Sequence, residues 1–182
     1  MNKQIFFISG GSGAGKSTVM DLVKSKLPDF EYHIHDMDAV GVPDDVDEQW
    51  RIEQTENWIK EGTRNSKSNI KTIIFGITRP EELHAALDKL HVSTDMVGVF
   101  LLDANPEILR SRLERRYQVH SGIESGVIVT GKPVEQFIGD SINFARILRE
   151  EAQKHGYEVI NTSELEPSEV AEKVIETIKK LS

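Results

Sequence analysis

Apolar residues along this chain fall into short unbroken runs separated by longer stretches with helical spacing. Ile5-Phe6-Phe7-Ile8, the end of Asn69–Phe75 and Met96–Leu102 are the strongest runs. Their continuity is that of strands covered on both faces. Glu31–His35 and Tyr157–Ile160 read as two further, shorter strands. Between them, Lys16 to Leu27 places Val19, Leu22, Val23 and Leu27 on one helical face, and Pro28-Asp29 stops it. The acidic run Asp44–Glu48 opens a second helix, with apolar contacts from Trp50, Ile52, Trp58 and Ile59, ending near Gly62. Further helices are predicted over Glu81–Leu90, Pro106–Tyr117, Val134–His155 (Gly156 as its left-handed cap) and Pro167 to about Leu181. Gln118–Pro133 is a polar loop containing Gly122, Gly126 and Gly131.

Strands alternating with helices predict an α/β fold, a parallel sheet with helices on both faces. Ligands in such sheets bind beyond the C-terminal ends of the strands. That rule selects Gly10–Thr18, Asp36 and Asp38, Gly76–Arg79, Asp103–Asn105 and Asn161–Ser163.

Composition narrows the classes. With 182 residues, 38% hydrophobic, the chain suits one compact domain over 1–182. A formal net charge of −8 argues against non-specific nucleic-acid binding, which wants a basic face. The absence of Cys removes disulfides and thiol catalysis and fits a cytoplasmic protein. The early apolar run of four residues is too short for a signal peptide or a membrane span. The six His residues show no metal-ligand spacing. The expected partners are small molecules, with no nucleic acid and no membrane, for a monomer or homodimer.

One segment carries specific chemistry. Gly10-Gly11-Ser12-Gly13-Ala14-Gly15-Lys16-Ser17-Thr18 fits G-x-x-x-x-G-K-[ST] and lies between a strand and a helix. Phosphate oxygens need inward N–H donors, which side chains on the loop would block; the helix N-terminus adds donors and positive dipole. Lys16 can reach β- and γ-phosphates, and the Ser17 hydroxyl can ligate Mg²⁺. Asp36-Met37-Asp38 at a strand end offers two carboxylates where an acceptor hydroxyl would need orienting, or else an Asp-rich turn that caps a helix. Arg79 is either a bidentate donor for an anion or a solvated side chain before a helix. Arg110, Arg112, Arg115 and Arg116 share one helix with Glu107 and Glu114 as possible ion-pair partners.

On these residues the chain resembles the nucleoside/nucleotide kinase-like branch of P-loop proteins, which includes nucleoside monophosphate kinases, shikimate and gluconate kinases and antibiotic phosphotransferases. The resemblance implies a three-layer P-loop fold with a five-stranded parallel sheet in order 2-3-1-4-5 and a small lid at about 118–133. It implies ATP as donor, Mg²⁺, and a small-molecule acceptor. The backbone from Gly11 through Ser12, Gly13, Ala14, Gly15 and Lys16 to Ser17 and Thr18 would hold the phosphates. Asp36-Met37-Asp38 resembles the Asp-x-Asp of shikimate kinase-like enzymes, which implies Asp38 on the acceptor hydroxyl and Asp36, with Ser17, on the metal. Gly76-Ile77-Thr78-Arg79 resembles the segment after strand three of nucleoside monophosphate kinases, usually Asp-Gly-x-Pro-Arg, but Phe75 stands in place of the Asp and Thr78 in place of the Pro. Arg79 then becomes a substrate-binding candidate. Arg116 and Arg112, at the base of the lid, would clamp donor phosphates, Arg116 stabilising charge at the transferring group. Asn161-Thr162-Ser163 would lie against adenine.

The leading expectation is therefore an ATP- and Mg²⁺-dependent phosphotransferase acting on a nucleotide, nucleoside, sugar acid or similar hydroxyl compound. The alternatives are a nucleotide-hydrolysing ATPase or switch, and a regulatory nucleotide-binding protein. A GTPase should carry Asn-Lys-x-Asp, which is absent, and Asp38-Ala39-Val40-Gly41 matches Asp-x-x-Gly only after strand two. Strand three ends in Phe75-Gly76 rather than the Asp-Glu of motor ATPases.

Overall fold

A computed structural model describes residues 2–41, 48–121, 128–129 and 131–182. Its strands are β1 Ile5–Ser9, β2 Tyr32–Asp36, β3 Lys71–Phe75, β4 Val97–Asp103, β5 Ile128–Val129, β6 Lys132–Pro133 and β7 Glu158–Asn161. Its helices are α1 Lys16–Lys26, α2 Glu48–Ser66, α3 Pro80–Leu90, α4 Pro106–Ser121, α5 Val134–Lys154 and α6 Pro167–Leu181. Five parallel strands pair in the order β2-β3-β1-β4-β7, the order the resemblance implies once the two-residue pair β5–β6 is set aside.

Alternation along β1 divides the core. Phe6 and Ile8 face α1 and α6, where they meet Val19, Val23, Val174 and Ile178. Ile5 and Phe7 face α2 and α3, where they meet Ile59, Leu83 and Leu87. All five β1 residues are buried, so the central strand has no wet face. Each such large apolar side chain contributes about 1.5–3 kcal/mol by leaving water. α5 closes the β4–β7 side through Leu148 and Ala152 against Leu101. Among the described residues no helix is long and apolar enough to cross a membrane.

Two boundaries differ from expectation. α2 does not stop at Gly62 but runs on to Ser66. A Cβ at Gly62 would lie 2.6 Å from Ile5 Cγ1, so this glycine lets the helix backbone rest on β1. α4 continues through residues 118–121 of the segment expected to be lid, and β5 and β6 form a small antiparallel pair within it; residues 122–127 and 130 of that segment lie outside the described residues. The start of the second helix at Asp44 also lies outside them, the described helix beginning at Glu48. The expected cap after α5 is present: Gly156 has φ 68°, and Tyr157 N–H donates to Ala152 O at 2.8 Å.

Candidate active site

β1 delivers Gly10 to the C-terminal edge of the sheet, and the chain turns through residues 10–15 into α1. Gly13 (φ 82°) and Gly15 (φ 94°) occupy the left-handed region, where a side chain is strained. α1 begins at Gly15 with no side-chain cap. The N–H groups of its first turn, Lys16, Ser17 and Thr18, thus lack partners within the helix and carry its positive dipole end, the arrangement that binds anions.

Lys16 folds over this loop. Its Nζ donates to Gly10 O at 2.7 Å and to Gly11 O at 3.1 Å. Burial lowers its pKa to about 8, opposed by the charges of Asp38 and Asp36 and assisted by Arg116. Three candidate charges, Asp38, Asp36 and Arg116, therefore act on one ammonium group.

The two carboxylates arrive from β2. Asp36 pairs in register with Phe75, and Ile34 of the same strand packs into the α1–α6 core, so by alternation Asp36 shares the sheet face that carries α1. Phe75, the departure from the monophosphate-kinase pattern, is spent on that core, and Asp36 offers a carboxylate one strand over. Asp36 Oδ1 accepts the Asp38 N–H at 3.0 Å and caps a turn of 3₁₀ helix, Met37–Val40. Both sequence readings of this pair are thus compatible: it caps a turn and it faces Lys16. Asp38 is raised above the usual carboxylate range by burial and by Asp36, with Lys16 pulling the other way.

The segment after β3 supports that turn. Ser9 Oγ donates to Thr78 O at 2.9 Å and accepts Thr78 N–H at 3.0 Å, latching it to the end of β1. Met37 lies directly over Gly76, where an added Cβ would be 2.4 Å from Met37 Cβ. Gly76→Ala is expected to push the Asp36–Asp38 turn outward, to cost about 1–3 kcal/mol and to lower Tm by about 2–12 °C, read by thermal denaturation.

The arginines divide. Arg79 forms a fork with Glu151 of α5, through Nε to Oε2 at 3.2 Å and Nη2 to Oε1, and this partner raises its pKa. The structure thus gives Arg79 a carboxylate of the chain itself in place of open solvent. Arg112 donates through Nη1 to Gly13 O at 3.2 Å and to Thr162 Oγ1 at 3.0 Å, and through Nη2 to Thr162 O at 2.7 Å. Thr162 Oγ1 in turn donates to Ala14 O at 3.3 Å. Arg112 therefore joins α4, the loop and the turn after β7; its burial lowers its pKa, with Arg115 adding to the effect. Arg116 is exposed, its guanidinium 5.9 Å from the centre of the Tyr117 ring. Arg110 is exposed and pairs with Glu135 and Glu114. Arg112→Ala would leave the Gly13 and Thr162 acceptors without their charged donor. It is expected to weaken ATP binding about tenfold in a calorimetric titration.

Ser9 and Glu151 escape sequence reasoning, and so does the partner of Thr162, because each works through a residue distant in the chain: Thr162 and Arg112 are 50 positions apart, Arg79 and Glu151 72. No local pattern signals such pairs.

Among the described residues no group of three or more His, Cys, Asp or Glu side chains could hold a metal ion. A divalent cation here would take Ser17 Oγ and a carboxylate from the chain and its remaining ligands from phosphate and water, which is the Mg²⁺ habit. The uncapped start of α1, the lysine and the neighbouring carboxylates fit a nucleotide triphosphate with such a cation.

No family model and no curated protein sequence matches the chain. Solved structures do share its fold. A sugar kinase from Janibacter sp., in unliganded form, superposes with TM-score 0.64 at 14% identity, covering 99% of this chain and 96% of that one. Shikimate kinase from Acinetobacter baumannii, in complex with shikimate, superposes with TM-score 0.53 at 18% identity, covering 98% of this chain and 94% of that one. At these identities the likeness is one of fold: a parallel sheet flanked by helices, as in P-loop small-molecule kinases.

Proposed function

We propose that this protein is an ATP- and Mg²⁺-dependent phosphotransferase that moves the γ-phosphoryl group of ATP to a small metabolite, working as one domain over residues 1–182. The observation that carries the reading is the meeting of Lys16 with Asp38 and Asp36 at the mouth of an uncapped glycine loop. A hydrolase needs the loop and the lysine; two carboxylates near enough to act on that lysine suit a second substrate as well. The fold shared with a sugar kinase and a shikimate kinase points the same way.

ATP would supply the phosphoryl group and Mg²⁺ would offset charge on its phosphates. The residues contribute as follows. The N–H groups from Gly11 to Thr18 and the Lys16 ammonium bind phosphate oxygens. Ser17 and Asp36 are the cation's protein ligands. Asp38 orients the acceptor hydroxyl and takes its proton; its raised pKa makes it a stronger base than an ordinary aspartate. Arg116, exposed on α4 with its charge acting on Lys16, stabilises charge on the transferring group. Arg112 holds the loop in shape. Arg79 is committed to Glu151 and is left out of the acceptor set.

The test is ADP release from Mg-ATP with and without candidate acceptors. An acceptor that raises release well above background, with loss on chelation of Mg²⁺, supports the proposal. Basal hydrolysis that no acceptor changes supports the ATPase or switch instead.

A further inference from the structure

The strands run parallel, so the first residues of β4 and β7 lie at the end of the sheet opposite the phosphate loop. There a cavity of about 450 Å³ opens between Leu83 and Leu87 of α3, the start of β4 and the turn His155–Tyr157 that follows α5. Small-molecule sites run from about 300 to 1,000 Å³. The cavity arises from a difference in strand length. β4 starts at Val97, but β7 pairs with it only from Phe100, opposite Glu158. Val97 to Val99 therefore have no strand on that side.

This edge is closed at one residue and open at another. Asp103 O accepts the Thr162 N–H at 2.7 Å on the β7 side, so by alternation Leu101, Val99 and Val97 turn their backbone groups the same way. Val97 N–H donates to Thr94 O, and Val97 O accepts from Lys3 Nζ at 2.6 Å. Gly98 gives the lysine stem room to cross the strand: an added Cβ would stand 3.3 Å from Lys3 Cδ. A peptide strand laid along this edge would find both backbone groups of Val97 already engaged. Val99, two residues on, turns its N–H into the gap, and a small molecule can be held by one such donor.

Three rings wall the cavity. The centres of His84 and His155 are 5.1 Å apart, those of His155 and Tyr157 5.9 Å and those of His84 and Tyr157 6.5 Å, with planes tilted by 54°, 37° and 71°. Tyr157 Oη and His84 Nε2 share a hydrogen bond of 3.2 Å, which holds α3 and the turn after α5 together at this corner. Rings pair best offset-stacked or edge to face, so a corner of tilted rings can meet both the face and the edge of a flat guest. We propose that this cavity is a second small-molecule site, separate from the phosphate loop, and that it takes an uncharged planar heteroaromatic compound whose ring nitrogen or carbonyl oxygen accepts the Val99 N–H. The guest lies against His84, His155 and Tyr157 and covers Leu83 and Leu87. The site stands whether or not the phosphotransferase reading does.

The experiment follows backbone amide signals of the isotope-labelled full chain while adenine, nicotinamide or quinoxaline is added, with cyclohexanecarboxamide as a saturated counterpart. The expected result is a saturable shift of the Val99 and Gly156 amides with at least one aromatic probe, and at least about tenfold weaker binding of the saturated compound. His84→Ala and His155→Ala should each weaken that probe at least about tenfold. His155→Ala keeps the helix end, because it is the backbone N–H of His155 that donates to Glu151 O at 3.0 Å, so this variant decides the matter if His84→Ala fails to fold. Shifts confined to residues 10–18, no shift at Val99 with any of the three, or unchanged affinity in His155→Ala overturns the site. Binding of cyclohexanecarboxamide as tight as that of the aromatic probe overturns the ligand class.

Discussion

Replacing Lys16 with alanine is expected to lower acceptor-dependent ADP release by at least about a hundredfold and to weaken ATP binding. The side chain is a cation held over the loop by Gly10 O and Gly11 O, and removing it takes away the positive charge nearest the loop's first carbonyls. Its titration gives a second, independent readout. In the free protein its pKa is about 8, against an ordinary lysine value of about 10.4. Burial lowers it, so the charged form is the disfavoured one. This group therefore opposes folding below about pH 8, and that penalty is relieved as pH rises from about 8 toward the unfolded value. Phosphate oxygens restore the high pKa. ATP binding should thus take up close to one proton near pH 9 and almost none near pH 6.5, and affinity should fall as pH rises through 8. Calorimetry in two buffers of different ionisation enthalpy measures the uptake. Equal proton uptake in the parent and in Lys16→Ala would remove Lys16 from the phosphates.

Asp38→Asn is expected to reduce acceptor-dependent turnover by about 10²–10⁴-fold while leaving ATP binding within a few-fold of the parent. Asparagine keeps the shape and the turn but cannot take a proton. The raised pKa fixes the sign of the pH profile. The acceptor-dependent rate should fall as pH drops through that value, at a higher pH than an ordinary carboxylate near 3.9 would give. The acid limb should vanish in the variant. An unchanged limb in Asp38→Asn would assign it to another group, and unchanged turnover would return Asp36-Met37-Asp38 to the role of a turn.

The parts of the fold that read well from sequence were those written locally. Ile5–Ile8, the glycine loop and the Val19/Val23 face of α1 each carry their own pattern, alternation with helices gives the parallel sheet, and the strand order came from the resemblance. Glycine is where one letter has two meanings. At Gly156 it marks a left-handed cap, but at Gly62 it marks helix-on-strand contact, and only the position of Ile5 tells them apart. The arginines are hard to read for a related reason. Arg79 and Arg112 look like free cations in sequence because the groups that engage them, Glu151 and Thr162, lie far along the chain. The ion pair of Arg51 on α2 with Glu82 on α3 has one local signal: a charge at the head of the stripe Arg51, Thr55, Trp58, Gly62, where an amphipathic helix should be apolar.

The contact between Gly62 and Ile5 has a mechanical consequence. With a helix backbone resting on the central strand at that point, α2 has no room to press closer to the sheet there. Its freedom is to swing, with Gly62 as fulcrum. At 1.5 Å per residue, Arg51 sits about 16 Å along the lever, so a tilt of about 5° carries it about 1.4 Å. The strand under the fulcrum is β1, whose far end becomes the phosphate loop. The phosphate loop and the head of α2 are thereby gauged from a single rail, and a bulkier residue at position 62 would alter the reach between them without touching either.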